Sequence, residues 1–141
     1  MKNHPSKAMA LGRVTIGMMA STISSYPEIR ELVNKVIRTA AQKVGLVTEG
    51  RDIGSVVIPD AHFKFYLDAK PEVRAKRRFD ELKGEIPFEQ ILKDVVARDK
   101  QDSERKIAPL KRCEDAIYID SSRLDIDEVC DIILKEVEKK Q

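Results

Sequence analysis

Residues 45–69 read GLVTEGRDIGSVVIPDAHFKFYLDA, and this stretch decides the fold. Its two ends, 45–50 and 63–69, are short and rich in β-branched or aromatic residues, which is typical of strands. Residues 116–120, AIYID, have the same character. We therefore predict three short strands, with Arg51 and Asp52 following the first of them between two glycines.

Apolar residues at helical spacing lie before, between and after these strands. They predict a helix from Pro27 that stops at Gly45, and further helices over about 71–83, 88–106 and 125–139. Strands that alternate with helices favour an α/β fold with a parallel sheet flanked by helices. Three strands make a narrow sheet, so we expect it to be partial, with an unpaired edge.

The composition is that of a globular protein. The 141 residues suffice for one domain, and 26 Lys and Arg residues against 24 Asp and Glu residues leave a net charge of +2. This near-neutral charge argues against a nucleic-acid partner, and no apolar run reaches the roughly 18 residues that favour a membrane span. Cys113 and Cys130 have no metal-ligand spacing and are expected to be reduced thiols, as in a cytoplasmic protein.

Arg51 and Asp52 are the first candidate site residues. In open α/β sheets, ligands bind beyond the carboxyl ends of the strands. A guanidinium there can hold a phosphate through two hydrogen bonds, and a neighbouring carboxylate can accept from an amine of the same ligand. The alternative is a turn in which Asp52 caps backbone amides and Arg51 is solvated.

Arg98, Asp102 and Arg105 form a second candidate group. Their spacing of i, i+4 and i+7 places them on one face of the predicted helix, where they could converge on one anionic ligand. The same spacing also suits a solvated face with an ion pair.

Arg74, Arg77 and Arg78 form a third group at i, i+3 and i+4. Clustered arginines beside an α/β sheet could bind a polyphosphate. A solvated helix face and a local nucleic-acid contact are the alternatives.

A phosphate-binding loop of the form G-x-x-x-x-G-K-[ST] has one near match, GRVTIGMM at residues 12–19. Met18 and Met19 stand where the lysine and the hydroxyl residue are needed, so the match is interpreted as chance.

Several segments together resemble the bacterial cytidylate kinases, in order from about residue 17 to the C-terminus. They are GMMASTISSYPEIRE, the stretch GLVTEGRDIGSVVIPDAHFKFYLDA quoted above, PEVRAKRRFDEL, ARDKQDSERKIAPL and DAIYIDSSRLDIDEVCDII. The resemblance implies a P-loop nucleoside monophosphate kinase-like fold with a helical lid over about 71–106. It also implies transfer of the γ-phosphoryl group of ATP, with Mg²⁺, to CMP or dCMP, although no protein ligand for the metal is identifiable.

The resemblance also implies roles for individual residues. Ser21, Arg30 and Asp52 match positions that contact the cytosine ring, where Asp52 would accept from the exocyclic amine. Arg51 and Arg105 match arginines that bind the nucleotide phosphate, and they are the candidate catalytic residues.

Arg98 and Asp102 match residues near the ribose and phosphate. Arg74, Arg77 and Arg78 fall in the lid, which closes over the phosphates of ATP.

Residues 1–16 resemble nothing in the family and are interpreted as a leader before a partial domain, 17–141. Because the sequence contains no phosphate-binding loop, we expect negligible turnover by this chain alone. The alternative function is a non-catalytic CMP-binding remnant or one half of a split enzyme. The unpaired sheet edge predicts self-association or a complementing P-loop segment.

Overall fold

A computed structural model describes residues 19, 22, 23 and 26–139. The leader over 1–16 and the candidate Ser21 lie outside these residues. The helices are α1 (Pro27–Lys43), α2 (Pro71–Glu81), α3 (Phe88–Glu104) and α4 (Ile126–Glu138). The strands are β1 (Phe65–Asp68) and β2 (Ile117–Asp120), and a single π-helical turn spans Ile53–Val57.

The predicted helices are confirmed, and their ends have local causes. Pro27 and Pro71 occupy the first turns of α1 and α2, where a missing amide hydrogen costs nothing. Asp125 and Glu128 form a capping box at the start of α4. Gly84, just beyond α2, has a φ of +74°, a conformation that glycine adopts without steric penalty.

The sheet is confirmed as parallel but is narrower than the sequence predicts. β1 pairs with β2 in a register that runs from Phe65 and Ile117 to Asp68 and Asp120. The predicted strand over 45–50 is wrong, because these residues are irregular and no strand of the described residues pairs with them. Val47 is fully exposed, so its β propensity has no neighbouring surface on which to act.

Between the two strands, α2 and α3 form a helical hairpin with a small core of its own. Ala75, Leu82 and Ile91 are buried in it, and the rings of Phe79 and Phe88 meet edge to face at 6.3 Å. Apolar burial of this kind stabilises the hairpin as a unit. The hairpin covers most of the segment that the resemblance assigns to the lid.

Apolar side chains on α1 and α4 remain exposed. Leu32 and Val36 on α1 are 64% and 62% exposed, and Ile126 on α4 is 81% exposed. The helical periodicity therefore predicts these helices correctly. The apolar residues that form the periodic pattern are nevertheless exposed. Self-association stays a prediction.

Candidate functional site

The turn that carries Arg51 and Asp52 is not the end of a strand. Asp52 begins the π-helical turn, and its carbonyl oxygen accepts from the amides of Val56 at 2.8 Å and Val57 at 3.2 Å. The amide of Ile58 closes the turn by donating to the carbonyl of Ile53 at 2.7 Å. This bonding buries Asp52 to 8% exposure while Arg51 stays on the surface side.

Asp52 forms an ion pair with Arg30, which α1 contributes from 22 residues earlier in the chain. Arg30 Nη2 donates to Asp52 Oδ2, and each side chain is only 11% exposed. Burial weakens the screening of this pair by water, so each charge depends on the other. The structure therefore joins two of the three residues that the resemblance assigns to the cytosine ring.

Asp102 is the centre of a second cluster. Its side chain is 4% exposed, and its Oδ2 accepts from Arg51 Nε at 2.6 Å. Arg98 Nε lies 3.9 Å from the same oxygen, and Arg105 Nη1 lies 3.9 Å from Oδ1. One carboxylate thus faces three guanidinium groups, which leaves the cluster with a net positive charge.

Arg105 has a donor that the described residues do not use. Its Nε donates to the carbonyl of Ala108 at 2.7 Å, which fixes the guanidinium against the loop after α3. Its Nη2 is buried and has no hydrogen-bond partner among the described residues. A buried donor without an acceptor is costly, so an anionic ligand at this position would be stabilising.

A cleft of about 450 Å³ joins the two clusters. Its charged lining is Arg30, Arg51, Asp52 and Arg105. The rest of its wall is mostly apolar. The apolar residues include Ile29, Val33 and Ile37 from α1 and Ile53 and Val57 from the π-helical turn. A mostly apolar cleft with a few converging charged groups is the usual form of a small-molecule site.

Arg98 and Asp102 do not line the cleft, although Asp102 positions Arg51, which does. Asn34 lines it and was missed by the sequence reasoning. The available signal was its position on α1, one turn beyond Arg30 and on the same face.

The structure separates the three arginines of the hairpin. Arg74 pairs with Asp99 on α3 through two hydrogen bonds of 2.8 and 2.5 Å, and the hydrogen bond with Asp99 raises the pKa of Arg74 further above its ordinary value. Arg77 donates to the carbonyls of Ser121 and Leu124 after β2. Each therefore has a partner within the chain, and a role at the phosphates of ATP stays a prediction.

Arg78 is the third of these arginines, and it pairs with Glu81 one turn further along α2, at 2.8 Å. It thus makes a surface ion pair within one helix, while Arg74 links two helices.

Replacing Arg74 with methionine is expected to lower the free energy of unfolding by about 1–2 kcal/mol, because a bidentate ion pair between two helices is lost. Urea unfolding followed by circular dichroism measures the change. The matched control is Arg78→Met, which removes the surface pair with Glu81 and should change stability by about 0.5 kcal/mol or less. Equal losses of stability in the two variants would show that the pair of Arg74 and Asp99 does not stabilise the contact between α2 and α3.

Among residues 19, 22, 23 and 26–139, no group of three His, Cys, Asp or Glu side chains is placed to hold a metal ion. In the same part of the chain, no helix is long and apolar enough to cross a membrane.

Several known proteins are similar to this chain in sequence. The family model for cytidylate kinase matches residues 6–139, a range that includes residues 6–16 of the segment interpreted above as a leader. A cytidylate kinase of Thermosipho melanesiensis is 50% identical over 128 residues, which cover 89% of this chain and 59% of that protein. A cytidylate kinase of Thermodesulfovibrio yellowstonii is 49% identical over 86% of this chain and 56% of its own length.

A cytidylate kinase of Vibrio cholerae is 43% identical over 88% of this chain and 56% of its own length. The chain thus spans between half and two thirds of the length of these relatives. Their fold is that of the P-loop nucleoside monophosphate kinases, to which a small parallel sheet flanked by helices conforms. On the strength of the family match and these identities, the chain belongs to the cytidylate kinase family.

Proposed function

We propose that the cleft between α1 and the π-helical turn binds CMP or dCMP, the phosphoryl acceptor of a cytoplasmic nucleoside monophosphate kinase. The observation that carries this proposal is the composition of the cleft. The buried ion pair of Arg30 and Asp52 lies in the same cleft as Arg51 and Arg105. The Nη2 of Arg105 is a buried donor with no partner among the described residues.

Asp52 suits the recognition of cytosine. Arg30 donates to its Oδ2 and so holds the carboxylate at the edge of the cleft. A carboxylate oxygen can accept from the exocyclic amine of cytosine, a donor that uracil lacks. The ion pair with Arg30 orients this carboxylate. A site built around such a bond discriminates strongly against a ligand without the donor. Ser21 is proposed as a further base contact.

Arg51 and Arg105 suit the phosphate of the nucleotide. Both line the cleft, and Asp102 ties both to α3. Guanidinium groups bind phosphate oxygens through paired hydrogen bonds, and the unpartnered Nη2 of Arg105 supplies one such donor. Arg98, whose Nε lies 3.9 Å from Asp102 Oδ2, would add positive charge near the ribose and phosphate.

The proposed reaction transfers the γ-phosphoryl group of ATP to the phosphate of CMP or dCMP, giving CDP or dCDP. Arg51 and Arg105 would hold the acceptor phosphate and offset the charge that develops during transfer. Arg74, Arg77 and Arg78 on the lid hairpin are proposed contacts of ATP. Mg²⁺ would enter with the phosphates of ATP, and it supplies charge neutralisation when bound.

Isothermal titration of the chain with CMP, UMP and inorganic phosphate tests the binding proposal. We expect CMP to bind with a stoichiometry near one and UMP to bind much more weakly, because only cytosine offers the amine to Asp52. Inorganic phosphate should compete with CMP, since it occupies only the arginines. Equal affinities for CMP and UMP would contradict base recognition by Asp52, and no binding of either would contradict the whole proposal.

A coupled assay with ATP, Mg²⁺ and CMP then separates the enzyme from the second candidate. Binding together with turnover supports the kinase reaction in this chain. Binding without turnover favours a CMP-binding module or one half of a split enzyme.

A further inference from the structure

Arg38 is outside the cleft, yet it is bonded to the segment that forms one side of it. Its Nε donates to the carbonyl of Val57 at 2.7 Å, and its Nη2 donates to the carbonyl of Val56 at 2.8 Å. We propose that Arg38 is a positioning residue that holds the π-helical turn against α1 and thereby places Asp52 for the recognition of cytosine. This inference rests on the proposed function.

A continuous set of hydrogen bonds links Arg38 to Asp52. Val56 and Val57, whose carbonyls accept from Arg38, are the residues whose amides donate to the carbonyl of Asp52. The peptide group between Val56 and Val57 accepts from Arg38 through its carbonyl and donates to the carbonyl of Asp52 through its amide. The next peptide group accepts from Arg38 and donates to the carbonyl of Ile53. A displacement of the Val56 carbonyl would be transmitted to Asp52 within this one peptide group, and a displacement of the Val57 carbonyl would act through Ile53.

The bond geometry suits arginine in particular. The π-helical turn ends at Val57, and the last carbonyls of a helical segment have no acceptor role within it. A planar guanidinium offers two parallel donors, which match two neighbouring carbonyls better than one ammonium group does. Arg38 thus satisfies both carbonyls and ties them to α1 at the same time.

Two attachments from one helix restrict the turn more than one would. Arg30 holds the side chain of Asp52, and Arg38, two helical turns later on α1, holds the far end of the same short segment. With Arg30 alone, the segment could pivot about the ion pair. With both, the position and the orientation of Asp52 within the cleft are set, and small errors in such geometry cost affinity.

The first test compares Arg38→Met with Lys35→Met, a matched control that removes a positive charge from the same helix. Titration with CMP is expected to show a rise in Kd of about five- to twentyfold for Arg38→Met and less than about twofold for Lys35→Met, within the range of couplings between contacting groups. The affinity of Arg38→Met for UMP should change less. The ratio of the Kd for UMP to the Kd for CMP should therefore fall.

A role in general stability would lower the fraction of competent protein but would leave that ratio unchanged. Equal changes for CMP and UMP, or no change, would therefore overturn the inference. Arg38→Lys retains one donor and is expected to recover part of the lost discrimination. It also keeps the test open if Arg38→Met does not fold.

The second test needs no nucleotide. It is a double-mutant cycle, measured by urea unfolding of the wild type, Arg30→Met, Asp52→Asn and the double variant. The cycle gives the factor by which the interaction between Arg30 and Asp52 changes the equilibrium constant of folding. The same cycle in an Arg38→Lys background should give a factor lowered by at least about threefold, because the pair is less well positioned. An unchanged factor would overturn the inference.

The two tests separate the failure of each idea. If the wild type binds neither CMP nor UMP, the proposed function fails, while the unfolding cycle still decides whether Arg38 positions Asp52.

Discussion

Replacing Asp52 with asparagine is expected to weaken CMP binding by about 10- to 150-fold. This factor corresponds to the free energy that a hydrogen bond to a charged group contributes. The preference for CMP over UMP should fall by a similar factor, because uracil never made that bond. The affinity for UMP should change much less. Titration of both nucleotides against wild type and variant measures the two effects together.

The same substitution also removes the partner of Arg30, whose side chain is 11% exposed. Breaking a buried ion pair on one side costs about 3–5 kcal/mol of stability, so the variant must be studied at a temperature where circular dichroism shows it to be folded. Asp60→Asn is the matched control, because Asp60 is exposed and does not line the cleft. A variant that keeps its CMP preference would show that Asp52 only anchors Arg30.

The helices could be predicted from the sequence because their determinants are local. Proline in the first turn, a capping box and a glycine with positive φ each act within a few residues of the helix end. Composition led to a wrong prediction over residues 45–50, where the structure has no strand. A strand exists only when another strand supplies its hydrogen bonds, and none of the described residues does so for this segment.

The charged residues that line the cleft are all among the sequence-based candidates, but their pairings could not be predicted. Arg51 and Asp102 are 51 residues apart, and only the folded chain brings them to 2.6 Å. The arginines of α2 show the opposite error. Helical spacing places Arg74 and Arg77 on one face, yet one turns to Asp99 on α3 and the other to the loop after β2.

Arg38 shows a third limit of sequence reasoning. Its side chain binds carbonyl oxygens, which every residue possesses, so no residue type in the turn indicates the contact. An exposed arginine on the polar side of an amphipathic helix is ordinarily solvated. Only the fold distinguishes this one.

Replacing Asp102 with asparagine is expected to lower the free energy of unfolding by about 1–3 kcal/mol, because the buried carboxylate that accepts from Arg51 loses its charge. The side chain is 4% exposed, and it faces Arg51, Arg98 and Arg105. An external anion should replace part of the lost charge, so inorganic phosphate should raise the Tm of this variant more than that of the wild type. Glu104→Gln, an exposed carboxylate on the same helix, is the matched control and should change stability by about 0.5 kcal/mol or less. If phosphate stabilised the wild type and the Asp102 variant equally, the three guanidinium groups would not form one anion-binding cluster around this carboxylate.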